Sequence, residues 1–162
     1  SLDQGKTWEP FSKGLTSAAV HDLVIQTKEK HLLVGTHGRS IYLAHIKKIQ
    51  DLSDEILQSS LYIYPLKNVK KSNSWGVQRS IWSQAYTPKL DITLFSSLST
   101  DYNISINDSN GNNVYKSEGK LDKGFNFISY NLMDNNEYLD KGLYKVLIIT
   151  DKDNLEKEFQ IQ

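Results

Sequence analysis

The chain has 162 residues, with 19 Lys+Arg against 19 Asp+Glu, so no net field draws it to nucleic acid or to an anionic membrane surface. Its 38% hydrophobic and 10% aromatic content suits a folded domain with a modest core and excludes the disordered class. There is no cysteine, which removes disulfides and thiolate metal sites, and no apolar run approaches the ~20 residues of a membrane span.

Ser1, Asp3, Gly5, Thr7 and Trp8 stand in the pattern S-x-D-x-G-x-T-W. Such a stretch makes a self-capping turn. The Ser and Asp side chains accept from nearby backbone N–H groups, the glycine takes a positive φ, and the Trp ring covers the turn. The motif resembles the Asp-box of BNR-type β-propellers, shared by sialidases, xyloglucanases and sortilin-type propellers. In that family it is a folding element remote from the active site. The resemblance implies that Trp8 to Leu15 is the outer strand of one blade. The chain opens inside this turn and not on a methionine, so the expectation is a piece of a longer protein whose signal segment, if it has one, lies upstream.

Val20 to Ile25 reads as a strand, Thr27-Lys28-Glu29-Lys30 as a charged turn, and His31 to Gly35 and Ser40 to Ile46 as two further strands joined through Thr36-His37-Gly38-Arg39. The order VHDLVI, turn, LLVGTHGRSIYLA is similar to the last blade of bacterial BNR/Asp-box proteins. The nearly continuous apolar character of the hairpin predicts strands covered on both faces. A blade takes roughly 40 residues and a propeller at least four blades, so no ring closes within this chain. Residues 1–46 are therefore expected to be an incomplete terminal blade. Its open edges would dock on the downstream domain, pair between molecules, or meet the missing blades of a parent chain.

Residues 47–60 form a connector. Ser53-Asp54-Glu55 ahead of Ile56-Leu57 predicts a short helix near 54–59, with a cap and acids in its first turn. LYIYPL, Leu61 to Leu66, is strand-like, with Pro65 marking an edge. Asn68 to Thr87 lacks clean periodicity and reads as an excursion across a surface. From Lys89 onward short alternating strands are separated by polar turns, the clearest being Asn107 to Asn112 with its Asn-Gly pair. This spacing predicts a β-sandwich. Ile106, Asp108, Gly111, Val114, Gly124, Asn126, Ile128, Tyr130, Gly142, Tyr144 and Val146 occupy a frame similar to that of the immunoglobulin-like domain of flagellar hook-capping proteins, with Tyr130 where that family usually has Trp. The expected fold class is all-β: partial propeller blade strands, a short helical connector, and an immunoglobulin-like sandwich over 61–162.

The candidate site residues are His37, Arg39, Trp75, Trp82 and Tyr86. At a strand junction His37 and Arg39 could bind a carboxylate or a sugar, or they could simply cap the turn around Gly38. Resemblance to sialidases would require an arginine cluster, and the chain has only Arg39 and Arg79. Trp75, Trp82, Tyr86 and the pair Tyr62/Tyr64 could form an aromatic platform for a sugar ring, or fill a core. His21 and Asp22 are neighbours on a strand and point to opposite faces, so they cannot work as a base and its orienting acid. His31 and His45 have no ligand-like spacing, and no metal site is expected. Asn107 to Asn112 and Asp151 to Asn154 cluster oxygen donors but lack the bidentate Glu of a calcium loop. Asn103-Ile104-Ser105 and Asn107-Asp108-Ser109 match the glycosylation sequon.

No catalytic residue and no cofactor is assigned. The resemblance implies a non-catalytic C-terminal module of a larger secreted, BNR/Asp-box glycosyl-hydrolase-like bacterial protein. It would be extracellular, periplasmic or at the cell surface, with glycan or polysaccharide as the expected ligand class. Two alternatives stand beside it: a carbohydrate-binding module using the aromatics, and a fragment lending His37 and Arg39 to a glycosidase site completed elsewhere.

Overall fold

The computed structural model describes residues 1–2, 5–8 and 14–162. The chain is all-β, and its antiparallel sheets fall into two compact units, Ser1–Asp54 and Glu55–Gln162.

The first unit holds one three-stranded meander of β1 (Val20–Gln26), β2 (His31–Thr36) and β3 (Ile41–His45), in that spatial order. A register shift between Val20 and Asp22 bends the start of β1, which is how a bulge re-aims a strand. After β3 comes a single turn of helix, α1 (Lys47–Gln50). The expectation of strands covered on both faces does not hold. Val34 is buried, yet Ile41 and Leu43 of the hairpin are 70 and 52% exposed; in β1, which precedes it, every residue is exposed. The physical reason is the lack of a second layer. Three strands have two faces, and among the described residues of this unit no other sheet lies against them. The outer strand expected over Trp8 to Leu15 falls mostly outside the described residues, as do Asp3 and its part in the turn.

The helix α2 (Asp54–Gln58) begins at the boundary, and β4 (Leu61–Ile63) is the first strand of the second unit. There follow β5 (Leu90–Ser96), β6 (Thr100–Asn107), β7 (Asn113–Leu121), β8 (Gly124–Tyr130), the short β9 (Met133–Asp134) and β10 (Glu137–Tyr138), β11 (Gly142–Ile149) and β12 (Asn154–Ile161). One sheet runs β4-β5-β8 and the other β12-β11-β6-β7. Alternate residues from both meet in one core: Leu61, Ile63, Leu90, Ile92 and Leu94 from one sheet, and Ile104, Ile106, Val146, Ile148 and Phe159 from the other. Period-two alternation in the sequence produces this arrangement, and burial of these side chains holds it together.

Turn chemistry sets the register. Asp108 accepts from the N–H groups of Asn110 and Asn112 and from the Asn112 side-chain amide, while Gly111 takes φ +84°, so the β6–β7 hairpin closes on its own polar residues. Asn126 staples the β7–β8 corner from both sides: its amide donates to Asp122 O, and its carbonyl oxygen accepts from Asp122 N–H. Asn135 and Asn136 both have positive φ, the geometry of a tight primed turn, and join β9 to β10.

Candidate functional site

The excursion between β4 and β5 is tied to the sandwich at its start. Val69 pairs in parallel with Ile161; its N–H donates to Gln160 O, Gln162 N–H returns to Val69 O, and Lys71 N–H reaches Gln162 O. The C-terminal end of the outer edge of β12 is thereby covered, which removes that stretch of strand edge from solvent. Lys71 Nζ also donates to Asp140 Oδ1 at 2.6 Å, and this contact holds the Asp140 carboxyl below its ordinary range.

Beyond this anchor the chain turns at Ser72 to Gly76. Trp75 packs against the core and meets Tyr138 edge-on at 5.7 Å. Gly76 is required here: its φ is +75°, and a Cβ would stand 2.8 Å from the Tyr138 ring. Gly76 N–H donates to Tyr86 O and Tyr86 N–H to Val77 O, so the two limbs of the excursion are cross-linked through their backbone.

At its tip, Ser80 to Ser83 is a hydrogen-bonded turn. Ser83 N–H donates to Ser80 O, and Ser80 N–H to Ser83 Oγ. The two central residues are Ile81 and Trp82, 83 and 91% exposed. Central turn positions commonly carry Gly, Asn or Pro, whereas here two large apolar side chains stand in solvent. Between tip and anchor lies an open cleft of about 460 Å³, lined among others by Lys70, Trp75, Arg79, Gln84 and Tyr86.

The sequence candidates are thus separated by environment. Trp75 is a packing residue with one edge on the cleft, Tyr86 and Arg79 line it, and Trp82 is the exposed apex. Tyr64 is buried, 5.0 Å from Tyr62 and 6.0 Å from Phe125, within an aromatic run on the outer face of the β4-β5-β8 sheet. That burial takes Tyr64 out of any open platform.

His37 and Arg39 lie in the β2–β3 turn and are exposed. The turn is organised by backbone and by Thr36: Thr36 Oγ1 donates to Ser40 O at 2.6 Å, and His37 N–H donates to Ala19 O at 2.9 Å. The His37 ring stacks on His21 at 5.1 Å. Asp22 accepts from Leu23 N–H and so serves its own backbone. His31 and His45 come together at 4.4 Å, edge to face, a proximity invisible in their linear spacing and created by the hairpin register.

Of the two oxygen-rich turns, the Asp108 carboxylate is taken up by Asn110 and Asn112, and Asp153 accepts from Ser60 Oγ at 2.6 Å. Among the described residues no three His, Asp or Glu side chains converge as metal ligands, and no helix is long and apolar enough to cross a membrane.

No protein-family model matches the chain, and no curated protein does. Among solved structures it is similar to the crystal structure of a beta-glucosidase from Listeria innocua in complex with glucose, at 12% identity and a TM-score of 0.36. That match covers 62% of this chain and 15% of the glucosidase chain. A likeness at this level carries nothing about activity.

Proposed function

We propose that this chain is a non-catalytic interaction module of a larger secreted protein of the BNR/Asp-box, glycosyl-hydrolase-like kind. The observation that carries the reading is the unpartnered meander. A three-stranded sheet with Leu23, Val24, Ile25, Ile41 and Leu43 all half exposed or more is unfinished by the standards of a soluble domain. Missing propeller blades of a parent chain would complete it.

Local geometry supports the Asp-box part. Gly5 has φ +89°, its N–H donates to Ser1 Oγ at 2.6 Å, and the Trp8 ring lies 4.0 Å from where a Gly5 Cβ would stand. The immunoglobulin-like reading draws on the sheet orders and on Tyr144. Near the start of β11, the Tyr144 hydroxyl donates to Asp140 O at 2.9 Å, four residues upstream, as in the tyrosine corner of such sandwiches.

Sedimentation of the 162-residue chain tests the module reading. Concentration-dependent self-association is expected, and Leu43→Lys together with Leu23→Lys reduces it. A wild-type chain that stays monomeric and binds no hydrophobic dye would contradict it.

A second reading, glycan binding, is favoured by one specific observation: the excursion that carries the exposed Trp82 at its tip also holds a cleft lined by Arg79 and Tyr86. Glycan-array binding that Trp82→Ala abolishes would select it. Unchanged binding in Trp82→Ala, or none in the wild type, would reject it.

A further inference from the structure

We propose that His31 and His45 form a two-histidine site for a borderline divalent transition-metal ion, Cu²⁺ above Ni²⁺ and Zn²⁺. The site goes beyond the module reading and is independent of it.

The register carries the proposal. Ile46 N–H donates to Lys30 O at 2.8 Å and Thr36 N–H to Ser40 O at 3.3 Å, so 30/46 and 36/40 are hydrogen-bonded pairs of the β2–β3 ladder. Pairs alternate along an antiparallel ladder. His31/His45 is therefore a non-hydrogen-bonded pair, the kind whose side chains approach most closely on one face. Both imidazoles leave the sheet on the same side, at the end of the strands beside the turn Thr27–Lys30.

The separation fits cis coordination. Two imidazole nitrogens on one ion at about 2.0–2.1 Å set their ring centres roughly 4.5–5 Å apart. The observed separation is 4.4 Å, with the planes at 75° and edge to face, so one ring must turn before a nitrogen of each meets the same ion. The His χ2 torsion is broad and His45 is exposed, so the ring is free to turn and offer a nitrogen beside that of His31. The other pair, His21 and His37, differs in kind. Its rings are stacked at 26° and 5.1 Å, presenting faces to each other.

Imidazole suits Cu, Ni and Zn, whereas Ca²⁺ and Mg²⁺ demand oxygen ligands. With no third protein ligand converging among the described residues, water fills the remaining positions. The site is accordingly weak and open to exchange.

The test is titration of the folded chain with Cu²⁺ while the imidazole Hε1 signals are followed by NMR. The resonances of His31 and His45 broaden first and together, and Ca²⁺ or Mg²⁺ has no effect. His45→Asn, at an exposed position, lowers the Cu²⁺ affinity tenfold or more, and His21→Asn leaves it within twofold. Broadening spread equally over all four histidines, or an affinity unchanged in His45→Asn, overturns the proposal. Should His45→Asn fail to fold, the wild-type order of broadening decides alone: confined to His31 and His45 it supports the site, and spread over four it removes it.

Discussion

At the residue scale, two tryptophans stand in opposite environments. Trp75 sits on the core with Tyr138 against its edge, while Trp82 touches solvent almost everywhere. Trp75→Ala is expected to cost about 2 kcal/mol of stability, because a half-buried indole is lost along with the support of Gly76. Trp82→Ala stays within about 0.5 kcal/mol of the wild type, as surface substitutions do. Urea midpoints of the two variants check the contrast; equal midpoints would contradict it. Tyr144 offers a finer probe. Its ring stacks on Phe159 at 5.4 Å, and only its hydroxyl reaches Asp140 O. Tyr144→Phe keeps the ring and removes that bond, so a loss of about 1 kcal/mol is expected, read from the same denaturant curves.

At the element scale, the anchored start of the excursion links stability to pH. Asp140 is held below its ordinary 3.8 by the hydrogen bond from Lys71 and then by its charge. A depressed folded pKa stabilises above the unfolded value, and the contribution is lost as pH falls through the folded one. Stability should therefore decline as pH drops below about 4, and Lys71→Met should flatten that decline. Tyr130 works at the other end. Burial first, then the charge of Asp134, raises its hydroxyl above the ordinary 10.0, and that hydroxyl donates to Met133 O at 2.6 Å. The unfolded chain ionises first, so stability should fall as pH rises past about 10. Chemical denaturation across pH 2 to 11 reads both limbs.

Elements of this kind were legible to different degrees. Alternation placed β5, β6, β8, β11 and β12 because one face of each must be buried. The Asn-Gly turn placed the β6–β7 hairpin. The β9–β10 hairpin carried a signal in Asn135-Asn136, but with two residues per strand it showed no alternation to flag it. The parallel bridge at Val69 is not written in local sequence, since it depends on where the end of β12 lies. Apolar runs in β2 and β3 suggest cover on both faces, whereas Ile41 and Leu43 of β3 are more than half exposed. Composition states what a strand wants to bury, and only the number of layers decides whether it does. The His31–His45 pair was hidden because two distant positions in a sequence say nothing of each other until a register folds them together.

At the scale of the whole molecule, the two units have unequal claims to independence. The second closes a core between two sheets, with Ile92, Leu94, Ile104, Ile106, Val146 and Ile148 wholly shielded from solvent. The first leaves a meander with large aliphatic side chains in water. Amide hydrogen exchange on the 162-residue chain, followed by mass spectrometry at a concentration where it is monomeric, tests the central claim most directly. If the first unit is an unfinished part of a larger assembly, amides of β1 to β3 exchange orders of magnitude faster than those of β5, β6 and β11, because local opening of a single-layer sheet costs far less than global unfolding. They slow when the chain self-associates or sits in a longer parent. A monomer in which β1 to β3 are protected as strongly as β6 and β11 would contradict the account.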